Sequence, residues 1–128
     1  MTATSIVSTR PTLHHVMIAI PAASEATARA FYADLLGLTE IAKPETLIGR
    51  GGLWLSTGSL DVHLGVDPDF HPARKAHIAL EVDDLDAVRG RLAANGFKPG
   101  AVECELPGYT RCYVSDPFGN RIELMQSQ

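Results

Sequence analysis

Four residues able to bind a divalent ion or move a proton occupy matching places in two similar stretches: His15, His63, His77 and Glu123. In His15-Val16-Met17-Ile18-Ala19-Ile20, alternation with a period of two puts Val16, Ile18 and Ile20 on one face of a strand and His15 on the other. Residues 76–84, Ala-His-Ile-Ala-Leu-Glu-Val-Asp-Asp, repeat the layout, with Ile78, Leu80 and Val82 opposite His77. A strand over 61–66 keeps Val62, Leu64 and Val66 together and sends His63 across, and one over 121–125 does the same with Ile122, Leu124 and Glu123. His15 and His77 lie 62 positions apart and His63 and Glu123 lie 60 apart, so each half carries one such residue on its first and one on its last strand. If the halves pack with their open sheet faces together, all four side chains can converge. Three imidazoles and a carboxylate suit one divalent first-row metal, Zn, Ni, Co, Mn or Fe(II), and the absence of thiolate from the set argues against a structural zinc site. His14 shares the parity of Val16 and Ile18 and is left out of the set; His71 falls in a connector.

The elements that must position these residues follow the same order twice. Residues 1–12 read as a flexible lead-in. A first strand over 13–20 ends at Pro21, and Ser24 caps a helix over 25–36 with Ala28, Phe31 and Leu35 at i, i+3 and i+7, stopped by Gly37. Strands over 38–43, 51–57 and 60–66 follow, the last two joined by Gly58-Ser59. Residues 67–75, with Pro68 and Pro72, form the connector. The pattern then restarts with a strand over 76–82 and an N-cap at Asp83 or Asp84. A helix carrying Leu85, Val88 and Leu92 comes next and stops at Gly96. Strands over 98–103, 109–115 and 120–126 complete the second half, with Asp116-Pro117-Phe118-Gly119 as a turn. The fold class expected is α+β: two βαβββ modules, 13–66 and 76–128, forming one domain with mixed sheets curved around a metal cleft. Identity between the halves is low, so the repeat rests on element order and on the polar interruptions.

Composition narrows the function. A chain of 128 residues, 45% hydrophobic, is long enough to bury a core. A formal charge of -4 without any cluster of Lys and Arg argues against nucleic acid or an anionic membrane as partner, leaving a small-molecule substrate. Cys104 and Cys112 form no Cys-x-x-Cys pair and read as small hydrophobes. No run approaches a membrane span and no signal-peptide core is present, so a cytoplasmic location is expected.

The sequence resembles the vicinal oxygen chelate superfamily, which includes glyoxalase I, fosfomycin-resistance thiol transferases, bleomycin-binding proteins, methylmalonyl-CoA epimerase and extradiol dioxygenases. The resemblance is carried by the His15 and His77 strands quoted above and by Ala30-Phe31-Tyr32 through Leu36-Gly37-Leu38. Asp116-Pro117-Phe118-Gly119-Asn120-Arg121-Ile122-Glu123-Leu124 adds to it, and together these stretches span residues 13–125. It implies paired βαβββ modules cupped around one metal, with the first-, fifth- and last-strand ligands falling on His15, His77 and Glu123. The fourth position, an acid or amide in several isomerases and epimerases, falls on His63, which departs from the glyoxalase I pattern, where that carboxylate also acts as base. The resemblance also implies a homodimer, with modules often paired across chains.

Such a site would chelate two neighbouring substrate oxygens and stabilise an oxyanion, with Glu123 as base on family grounds or His63 on pKa grounds. Trp54 shares a face with Gly52 and Ser56 and can wall the cavity; Arg111 and Tyr113 share a parity opposite Cys112 and can meet an anionic substrate, although a strand arginine more often pairs with an acid. The leading expectation is a metal-dependent glyoxalase-like lyase or isomerase acting on an α-oxo compound or thiol adduct. The others are an Fe(II) extradiol dioxygenase using His15, His77 and Glu123, and a metal-free protein that binds an antibiotic or other small molecule.

Overall fold

The computed structural model describes residues 9–128, so most of the lead-in expected over 1–12, residues 1–8, lies outside the described residues. Its elements, in chain order, are β1 (His15–Ile20), α1 (Glu25–Arg29) running into a π-helical segment (Ala30–Leu35), β2 (Thr39–Ile41), a 3₁₀ helix (Glu45–Arg50), β3 (Leu53–Ser56) and β4 (Asp61–Val66). After the connector come β5 (Ile78–Glu81), α2 (Leu85–Ala94), β6 (Tyr109–Ser115) and β7 (Arg121–Ser127). No helix among the described residues is long and apolar enough to cross a membrane.

Two mixed sheets result. One has the order β1-β4-β3-β2 and the other β5-β7-β6. In each, the first strand lies parallel to the last strand of its sequence block: His15 pairs with Asp61 and Met17 with His63, while Ala79 pairs with Glu123. The parallel partners are those that the sequence marks with ligand-type residues: in the first sheet the helical crossover carries the chain to the far edge strand β2, and the antiparallel run β2-β3-β4 brings it back beside β1.

Alternation delivers the core. Val62 and Leu64 from β4, Ile122 and Leu124 from β7, and Leu53 and Leu55 from β3 are buried in one cluster with Phe31 and Tyr32 of the π-helical segment and Leu85, Val88 and Leu92 of α2. Polar ties then lock one sheet to the other. The Tyr32 hydroxyl donates to Asp116 Oδ2 at 2.6 Å, Asn120 Nδ2 donates to the Ala19 carbonyl at 2.9 Å, and Arg91 Nε donates to the Leu35 carbonyl at 2.9 Å. Burial, then the Asp116 charge and hydrogen bond, push the Tyr32 phenol well above its ordinary value.

Four sequence expectations are corrected. The strand over 98–103 reduces to a single bridge, Glu103 with Arg111, because Pro99 has no N–H to donate; the segment is tied to β6 through Gly100 N–H to the Tyr113 carbonyl, 2.8 Å. The helix over 25–36 keeps α geometry only to Arg29 and widens to a π-helical turn beyond it. Ser24 precedes that helix without capping it, its hydroxyl donating instead to the Pro21 carbonyl at 2.6 Å. The strand over 76–82 shortens to Ile78–Glu81, leaving His77 one residue ahead of it. By contrast, Asp84 caps α2, its carboxylate accepting the Ala87 N–H at 3.1 Å.

Candidate metal centre in two halves

On β4, His63 is buried between two aromatic faces. Trp54, its cross-strand partner in the β3–β4 register, stacks on it with 3.9 Å between ring centroids and 2° between planes. His15 lies on the other side at 4.1 Å and 20°. Burial, and after it the neighbouring His15, hold the His63 imidazole below the usual histidine range, which favours the neutral ring. Its Nε2 is buried without a hydrogen-bond partner. A buried nitrogen left unpaired is destabilising unless something binds it, and a neutral imidazole lone pair is a good donor to a borderline divalent metal. The residues of this half therefore fit a metal. The cavity beside it, about 470 Å³, is lined by His14, His15, Met17, Lys43, Trp54 and His63, among others.

In the second half, Glu123 is buried on β7, and its Oε1 lies 2.9 Å from His77 Nε2. His77 Nδ1 is 2.8 Å from the Lys75 carbonyl oxygen. A carbonyl only accepts, so Nδ1 donates to it; the Glu123 carboxylate likewise only accepts, so Nε2 donates to it and would give up that proton to ligate a metal. The 2.9 Å separation is one that two donors on metal bonds of about 2.1 Å can span. This half also fits a metal.

The pairs do not merge within one chain. Among the described residues, no three His, Cys, Asp or Glu side chains come together closely enough to hold an ion. His15 with His63, and His77 with Glu123, are thus two separate pairs of candidate ligands.

The remaining sequence candidates are all placed beside these pairs. Arg111 grips Glu103 with two donors, at 2.8 and 3.2 Å, and reaches Glu123 Oε2 at 3.3 Å, so its guanidinium orients the carboxylate rather than standing free. That contact holds the Glu103 carboxyl below the usual carboxylate range. Tyr113 presents its ring to the edge of His77, 5.5 Å between centroids, and carries the Arg121 guanidinium 3.9 Å over its face. His14, which strand parity sends to the aliphatic face, precedes β1 and turns its ring edge-on to His15, with the two Nδ1 atoms 3.0 Å apart. Parity has no force outside a strand, which is why alternation missed it. Glu103 and Arg121 were missed as well; Glu103 bridges to Arg111, and Arg121 pairs with Ser115, diagonal to Tyr113, a register that strand alternation alone does not reveal.

Comparison with known proteins agrees with this fold. The Glyoxalase/Bleomycin resistance protein/Dioxygenase superfamily model matches residues 12–124. A glyoxalase family protein from Bacillus anthracis superposes with a TM-score of 0.85 at 41% identity, covering 93% of this chain and 97% of that one. The Escherichia coli (strain K12) protein YaeR, itself uncharacterized, is 31% identical over 126 residues, 89% of this chain and 95% of its own length. The fosfomycin resistance protein FosX from Listeria monocytogenes shares the fold, with a TM-score of 0.72 at 16% identity over 93% of this chain and 95% of that one. The chain belongs to the Glyoxalase/Bleomycin resistance protein/Dioxygenase superfamily.

Proposed function

We propose that this protein is a metal-dependent lyase or isomerase of glyoxalase type, acting on a small substrate that offers two neighbouring oxygens, either an α-oxo compound or a thiol adduct. One divalent first-row metal (Zn, Ni, Mn, Co or Fe) is held by His15 and His63 from one copy and by His77 and Glu123 from a second. Residues 13–66 of one chain and 76–128 of the other are the contributing modules of a homodimer. The observation that carries this reading is the buried, partnerless Nε2 of His63, in a chain whose described residues bring no three His, Cys, Asp or Glu side chains together to hold an ion.

When bound, the metal would act as a Lewis acid toward the substrate oxygens, stabilising negative charge as it develops. The protein's own groups do the rest. Glu123, buried and oriented by Arg111 through Oε2, is the group that takes a proton from substrate carbon and returns it. His63, neutral and fixed in plane by Trp54, is the other group able to carry that proton. Trp54 and Met17 form an apolar wall beside the first pair.

Metal analysis of the purified full-length chain tests the reading, together with a methylglyoxal-plus-thiol assay and anaerobic catechol binding. About one first-row metal per chain, lost in His77→Ala, with turnover of the thiol adduct, is the expected result. Resident Fe(II) with catechol cleavage would instead favour the extradiol dioxygenase reading. A wild-type protein that rejects Zn, Ni, Mn and Fe(II) would favour a metal-free binding protein.

A further inference from the structure

Beside His77 and Tyr113, the second sheet ends in a cavity of about 350 Å³ lined by Arg74, Lys98, Tyr113, Ser115, Gly119 and Arg121, among others. It contains three cationic side chains and no carboxylate. Among the described residues, Arg74, Lys98 and Arg121 form no ion pair, whereas Arg29 and Arg111 do. In a chain of net charge -4, three cations lining one cavity without an acid partner make it locally positive, which favours an anion there.

The backbone holds the three in place from separate parts of the chain. Arg74 follows Ala73, whose N–H donates to Asn120 Oδ1 at 2.8 Å and whose carbonyl accepts the Arg121 N–H at 2.9 Å. Lys98 belongs to the irregular segment tied to β6 by Gly100 N–H to the Tyr113 carbonyl at 2.8 Å, and Arg89 Nη2 donates to the Gly100 carbonyl at 3.0 Å. The Arg121 guanidinium carbon stands 3.9 Å from the Tyr113 ring centroid, a cation–π contact that holds it beside the cavity. Lys98-Pro99-Gly100, which failed to become a strand, is what brings a lysine to this position.

We infer that this cavity binds a phosphate-class dianion, a doubly charged phosphoryl group, and that it anchors the anionic end of the substrate. Two guanidiniums and an ammonium match a dianion better than a single carboxylate, and planar guanidiniums address tetrahedral oxyanions with paired donors. Arg121 also lines a second cavity of about 380 Å³, whose lining includes His77, so one residue borders both spaces. A substrate seated by its phosphoryl group would extend along Tyr113 toward His77, whose ring is 5.5 Å from that of Tyr113. The anchoring role rests on the reading of His77 and Glu123 as metal ligands; the anion site itself does not.

The test is calorimetric titration of inorganic phosphate into the full-length chain, with acetate as the singly charged comparison, for wild type, Arg74→Gln/Lys98→Gln, Arg121→Gln and His77→Ala. Arg74 and Lys98 are exposed, so the double variant removes charge without disturbing the core. Phosphate affinity at least tenfold weaker in the double variant and in Arg121→Gln, but within about twofold of wild type in His77→Ala, is the expected result. That pattern in a protein that takes up no metal would support the anion site while overturning the metal reading. Equal phosphate affinity in wild type and the double variant, loss of phosphate binding in His77→Ala alone, or acetate binding as tightly as phosphate would each overturn the inference.

Discussion

The Trp54 indole lies flat on the His63 imidazole, 3.9 Å between centroids and 2° between planes, so a residue of β3 fixes the ring plane of a ligand candidate on β4. Partners that orient a metal-binding histidine typically alter metal affinity by about 10 to 100-fold when removed. Trp54→Ala is expected to weaken Zn or Ni binding at least tenfold, and Trp54→Phe to preserve most of it. Competition against a chromophoric chelator measures both; unchanged affinity in Trp54→Ala would show that the stack does not hold the ligand.

The Tyr32–Asp116 hydrogen bond joins the two sheets at a fully buried position. Tyr32→Phe removes the donor, but Asp116 keeps the N–H groups of Phe118 and Asn120 and the Asn120 amide. A loss of about 1–2 kcal/mol in urea unfolding is expected.

The same pair sets an alkaline limit. Burial and Asp116 raise the phenol above its unfolded value, so the fold favours the protonated form. Its stabilising contribution is therefore complete below the ordinary tyrosine value of about 10 and declines as pH rises above it. Wild type is expected to lose more stability between about pH 9 and 11 than Tyr32→Phe does. Parallel slopes in urea titrations across that range would show that Tyr32 is not the group responsible.

Gly52 holds φ at +83°, and a Cβ there would stand 2.1 Å from the Leu64 carbonyl oxygen of the neighbouring strand. Its N–H also donates to the Glu25 carboxylate at 2.8 Å. Gly52→Ala is expected to cost more than about 1 kcal/mol, because both the backbone angle and the space are closed to a side chain. Gly49→Ala meets nothing within 4 Å and serves as the control. Equal melting temperatures for the two variants would contradict the tight β3–β4 approach.

Where the strands are regular, alternation gives the side-chain directions. His63 and Glu123 are flanked by buried aliphatics on both sides, so their direction follows from the pleat alone. His77 and His14 sit just outside their strands, where no such rule applies; His77 is aimed instead by its hydrogen bond to the Lys75 carbonyl. The Trp54–His63 stack depends on the β3–β4 register, and the Arg74–Lys98–Arg121 cluster depends on loops brought together by long-range hydrogen bonds. Neither leaves a periodic trace. Nor does a strand pattern say whether two ligand-bearing faces meet within a chain, which depends on how the sheets pack.

Mixing two defective variants probes the cross-chain metal site most directly. His15→Ala and His77→Ala each remove a ligand from a different half, so neither homodimer has an intact site. In an equimolar mixture, unfolded together and refolded, half the dimers carry one chain of each, and one of their two sites is complete. About a quarter of the wild-type metal content should return if sites are built from two copies related by a twofold axis. Metal content in the mixture no higher than in either variant alone would contradict cross-chain assembly of His15, His63, His77 and Glu123.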